Sequence, residues 1–132
     1  MMQAVEWTFY GYATPAGNRD VQDWYDRIAV EDERDTVRDT LEYLQKLPVS
    51  LWRRPEYKPL GAGLGEFRLD SKELKTKVRI YCCFWPKGSR FVCTLLLGRG
   101  KGKARQQHDI RESRRRLAAL IRGEASIHEF EF

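Results

Sequence analysis

The chain has 132 residues, enough for one domain with one core and too few for two. A third of the residues are charged and the net charge is +5, with an isoelectric point near 9.2; this balance suits a polyanionic partner. Three cysteines, an odd number, do not make a disulfide framework, and no apolar run approaches a membrane span, so a reduced, cytoplasmic protein with no membrane partner is expected.

In chain order, residues 4–12 alternate Val5, Trp7, Phe9 and Gly11 with Glu6, Thr8, Tyr10 and Tyr12, which predicts a first strand, at an edge or brought into the centre by a later crossover. Pro15 and Gly17 end it, giving a first unit of strand and turn over 1–17. Two helices follow over 18–47. In the first, Asn18 or Asp20 serves as cap and Val21, Trp24, Tyr25 and Ile28 recur at helical spacing; in the second, acids fill the first turn and Val37, Leu41 and Leu44 form the buried stripe. Residues 49–63 read as a long loop in which Trp52 and Tyr57 alternate with Arg53, Arg54 and Lys58. Such interleaving suits single-stranded RNA, with bases on rings and cations on phosphates. Packing of Trp52 onto the sheet is the plainer account of that residue, and Lys58 is the better RNA-binding candidate.

Residues 64–97 carry the antiparallel strands. Alternation over 64–70, a β-branched and aromatic run over 77–85, a Pro86-Lys87-Gly88-Ser89 turn and an apolar run over 91–97 predict three of them. Period two places Val78, Ile80, Cys82 and Phe84 on one face with Phe67 and Leu69, and Arg79, Tyr81 and Cys83 on the other with Glu66 and Arg68. Cys82 and Cys83 therefore point apart, and no metal site is read. The next segment, 98–105, sets Arg99, Lys101, Lys103 and Arg105 on a glycine-spaced backbone able to approach phosphate closely. Cross-strand pairing of Arg68 and Arg79 with Glu66 and Asp70 would explain either arginine alone. It does not explain the basic segment, which lacks matching acids. A C-terminal helix over 105–122 places Ile110, Leu117, Leu120 and Ile121 on the core side, and Gly123 follows as a C-cap. The tail over 126–132 alternates again, so it adds a short strand or docks its aromatics.

Gly65-Glu66-Phe67-Arg68, ten residues, then Arg79-Ile80-Tyr81, a hairpin, an apolar strand and a basic turn leading into a helix resemble the RelE/HigB superfamily of bacterial toxins, in particular its phage-derived branch. The likeness covers about residues 19–122. It implies a single α+β, RelE-like domain over 1–132, with two N-terminal helices packed on a small antiparallel sheet and a C-terminal helix. It also implies a metal-independent endoribonuclease, without cofactor, that cuts messenger RNA, often on the ribosome, and is neutralised by a cognate antitoxin of the DNA-binding helix-turn-helix type.

Metal-free RNA cleavage needs a base for the 2′-OH, an acid for the leaving oxygen and cations for the charge gathering on phosphorus. Arg68 and Arg79 supply cations from the sheet. Arg99, Lys101, Lys103 and Arg105, with Lys58, form the expected RNA-binding set. The proton carriers are Glu66, Tyr81, His108 and, if neighbouring cations depress it, Lys58. Relatives of this kind often carry a tyrosine or histidine near the start of the last helix, where His108 stands displaced by a residue or two. Two other readings compete: a non-catalytic module of the RelE/ParE fold, such as a gyrase-targeting toxin, phage regulator or RNA-binding protein, and a plain interaction protein whose basic helix meets an acidic partner.

Overall fold

The computed structural model describes residues 6–28, 31–52, 57–71, 76–100 and 105–132. Among these the order is β1 (Thr8–Ala13), α1 (Asp20–Asp26), α2 (Glu31–Gln45), a 3-10 turn (Val49–Leu51), β2 (Tyr57–Gly61), β3 (Leu64–Ser71), β4 (Thr76–Cys83), β5 (Val92–Arg99), α3 (Gln106–Ile121) and β6 (Ser126–Glu129). No helix among the described residues is long and apolar enough to cross a membrane.

The strands form one six-stranded sheet in the order β2-β3-β4-β5-β1-β6. This corrects the expected fold class. The fold is α+β, but β1 precedes the helices, and the sheet is mixed and larger than the small antiparallel one expected. β2 to β5 form an antiparallel ladder; β1 then lies parallel to β5, with Phe9 opposite Cys93 and Gly11 opposite Leu95, and β6 covers its other side antiparallel. Trp7, Phe9, Tyr12 and Ala13 are all buried, so this segment needs neighbours on both sides. A parallel partner requires a long crossover. The helices and the antiparallel ladder together provide it.

Residues 49–63 are not one loop. β2 pairs with β3, Lys58 opposite Glu66, through a hairpin in which Gly61, Ala62 and Gly63 all take positive φ. Pro59 fits this strand because β2 lies at the sheet edge. Three smaller expectations also change. Arg19, and neither Asn18 nor Asp20, holds the N-cap position of α1, without a side-chain cap bond; the backbone N–H of Asn18 instead donates to Thr14 Oγ1 at 3.0 Å. Ile121 is 61% exposed and stands off the core. Phe84 lies past the end of β4 and is exposed, though its ring still meets Trp7 and Trp52. The tail does both things expected of it, pairing as β6 and burying Phe130.

The helices lie on opposite faces. Gly98 sits opposite Ile80, and a Cβ on it would collide with the Trp24 ring, so α1 covers that face. Arg99 points the other way and bonds Asp109 of α3. The core centres on Trp7, Phe9, Trp52, Tyr57 and Phe67, joined by ring contacts. Two indoles finish α2: Trp52 Nε1 donates to the Leu44 and Leu47 carbonyls at 3.0 and 3.1 Å, and Trp7 Nε1 donates to Leu47 at 2.9 Å. Carbonyls at a helix C-terminus lack intrahelical partners; Leu44 is served by the Leu47 N–H at 3.1 Å as well as by Trp52, and Leu47 by both indoles. All three cysteines are free and buried, and burial pushes the Cys83 and Cys93 thiols up, away from reactive thiolates.

Candidate nucleic-acid interface

Register brings the sheet arginines together. Arg68 on β3 lies directly opposite Arg79 on β4, and Arg79 lies opposite Arg99 on β5. Directly opposed residues share a face, and neighbouring strands are about 4.8 Å apart. Three guanidinium-bearing residues therefore form one row across the α3 face of the sheet. The adjacent row on that face is Lys58, Glu66, Tyr81 and Leu97. Like charges directly opposed in a sheet destabilise it. Something must offset this row.

Part of the offset is two carboxylates. Arg68 Nε donates to Glu66 Oε1 at 2.5 Å. Arg99 makes a two-pronged contact with Asp109, Nε to Oδ2 at 3.0 Å and Nη2 to Oδ1 at 2.7 Å, which holds the Arg99 guanidinium up, in its charged form. The partners differ sharply in exposure: the side chains of Glu66 and Asp109 are 0% and 1% exposed, those of Arg68 and Arg99 are 29% and 39%. The acids lie beneath the arginines. Arg79 is half-buried and donates from Nη1 to the Val78 carbonyl at 3.1 Å.

The expected proton carriers are divided. Glu66 is enclosed, accepting from Arg68, from Gln106 Nε2 at 3.3 Å and from Tyr81. Tyr81 is 1% exposed, and burial, with Glu66 next in effect, raises its phenol well above the ordinary value. At neutral pH it is a hydrogen-bond donor to Glu66. His108 is exposed in the first turn of α3. Gln106 and Asp109 both bond sheet-side groups, and His108 is turned about 100° round the helix from Asp109. It stands beside the row and not within it.

Of the expected RNA-binding residues, Lys58 is half-buried on β2 in the row next to the arginines, and Arg105 is exposed just before α3. Lys101 and Lys103 lie outside the described residues, as do Arg53 and Arg54. No family model matches the chain, and no curated protein matches it. What the site can do therefore rests on its own residues: an open line of oriented donors, suited to an extended anion, with a buried acid layer beneath.

Sequence reasoning missed Asp109 and Gln106. The signal was a polar stripe on α3, Gln106, Asp109, Ser113 and Arg116, at helical spacing. Arg116 uses that position to reach the Leu96 carbonyl at 2.8 Å and to lie over the Tyr12 ring at 5.1 Å. Packing of Trp52 in the core, weighed above against RNA stacking, is what the indole does. Its ring is not offered to a base.

Proposed function

We propose that this protein is a RelE/HigB-like toxin that binds messenger RNA along the Arg68–Arg79–Arg99 row, in the cytoplasm and in association with the ribosome, under the control of a cognate antitoxin. The observation that carries the reading is the row itself. Three arginines face one another across adjacent strands, and the acids paired with Arg68 and Arg99 lie on their buried side, which leaves the exposed side of the row suited to an RNA phosphate chain. Phosphate contacts of this kind are electrostatic and weaken steeply with salt.

Cleavage is the further step that the resemblance implies, by a metal-independent route. The arginines would stabilise charge on the phosphorus centre, and His108 is the exposed candidate for proton transfer. Glu66 and Tyr81 fit a supporting role better than a proton-transfer role, because neither reaches solvent. Their burial favours a second reading, a non-catalytic RNA-binding module with the same surface.

Induced expression in bacteria tests both. Wild-type protein is expected to arrest growth and to generate new 5′ ends in messenger RNA. Arg79→Ala is expected to reduce cleavage about a hundredfold and to relieve the arrest. Arrest without new ends supports the binding module, and equal arrest by wild type and Arg79→Ala contradicts both readings.

A further inference from the structure

The ion pairs at Arg68 and Arg99 look at first like plugs. A carboxylate on a guanidinium occupies the donors that a phosphate would take. The geometry excludes this for Arg99. Asp109 uses Nε and one proton of Nη2, and a guanidinium has five N–H donors in a planar fork. Three remain, on Nη1 and the outer side of Nη2. Asp109 is 1% exposed whereas the Arg99 side chain is 39% exposed, so the acid sits on the buried edge.

We infer that Asp109 is a positioning residue: it fixes the Arg99 guanidinium by its inner edge so that the outer edge presents a preset pair of donors to a phosphate. The inference rests on the proposed RNA-binding function and adds how the site achieves its orientation. Glu66 stands in the same relation to Arg68, held by Arg68 Nε on one oxygen and by Gln106 on the other. Preset donors bind more tightly than mobile ones because less side-chain freedom is lost on binding. A lysine cannot replace such a fork, since its ammonium is a point charge on a flexible stem.

The test separates orientation from charge. Binding of a fluorescent single-stranded oligoribonucleotide is measured over a range of salt for wild type, Arg99→Lys, Asp109→Asn and the double variant, with thermal unfolding run alongside. Arg99→Lys is expected to bind about five- to tenfold more weakly while its salt dependence stays that of wild type, because the charge is kept. Asp109→Asn is expected to bind about threefold or more weakly, and the double variant no more weakly than Arg99→Lys, since both changes remove one orientation.

Wild-type affinity in Arg99→Lys would overturn the inference, because charge alone would then suffice. Tighter binding by Asp109→Asn would also overturn it and make Asp109 a competitor of phosphate. Losses that multiply in the double variant would separate the two residues and count against it as well. In each of these cases RNA binding itself survives. Failure of the wild-type protein to bind would instead contradict the proposed function and remove the positioning role with it.

Discussion

Trp52→Ala should lower the unfolding free energy by about 3–5 kcal/mol, the range for truncating a large buried aromatic. Trp52 is 5% exposed and its ring lies 4.7 Å from Trp7, 5.5 Å from Phe67 and 5.6 Å from Tyr57. Removing it opens a cavity at the junction of α2, β1, β2 and β3. The change also removes one of two donors to the Leu44 carbonyl, which keeps the Leu47 N–H at 3.1 Å. Trp52→Phe separates the two effects: it restores most of the ring and omits the donor, and is expected to recover all but about 0.5–1.5 kcal/mol. Urea unfolding monitored by circular dichroism provides the check. A loss below about 1 kcal/mol for Trp52→Ala would mean that the indole is not a core residue.

Arg99→Ala should also destabilise the fold, by about 2–3 kcal/mol. Breaking a fully buried pair costs about 3–5 kcal/mol, and the partial exposure of Arg99 reduces this. The cost falls on Asp109, left in the interior without its guanidinium. Adding Asp109→Asn to Arg99→Ala should therefore recover part of the loss, since the stranded group is then neutral. Arg115 offers a contrast. Its pair with Glu112 is on the surface, with the arginine side chain 74% exposed, and Arg115→Ala should leave the unfolding midpoint unchanged. Equal effects for Arg99→Ala and Arg115→Ala would contradict the buried placement of Asp109.

Much of the sheet was legible from alternation. Phe67, Leu69, Val78 and Ile80 mark one face, and Arg68, Arg79 and Tyr81 the other, because period two leaves a strand little choice. Arg68 and Arg79 become neighbours once β3 and β4 are paired, whereas Arg99, read in the basic segment after residues 91–97, joins them because β5 runs on to it. The place of β1 did not follow. Its sequence reads as a strand, but which strand it joins, and in which direction, depends on crossovers that local pattern does not encode. β2 was hidden by Pro59, which a central strand would not tolerate and an edge strand does. Ile121 shows another limit: the stripe of α3 continues through it, but the helix ends there and leaves the residue in solvent.

The candidate site was half legible for a related reason. Arg68 and Arg79 belong to predicted strands and can be aligned by counting. Asp109 belongs to a helix some ten residues further on, and its docking depends on how α3 crosses the strands. Counted as one of two acids among nine bases in residues 98–122, it looked like background. Buried under Arg99, it becomes the partner that holds that guanidinium.

The central claim is that Arg68, Arg79 and Arg99 act as one phosphate-binding surface. Nuclear magnetic resonance of the arginine Nε–H groups, followed as a short single-stranded oligoribonucleotide is added at low salt, tests it most directly. All three signals are predicted to move together and to saturate at the same RNA concentration. Signals that stay fixed while RNA binds elsewhere on the protein, or that titrate independently of one another, would contradict it.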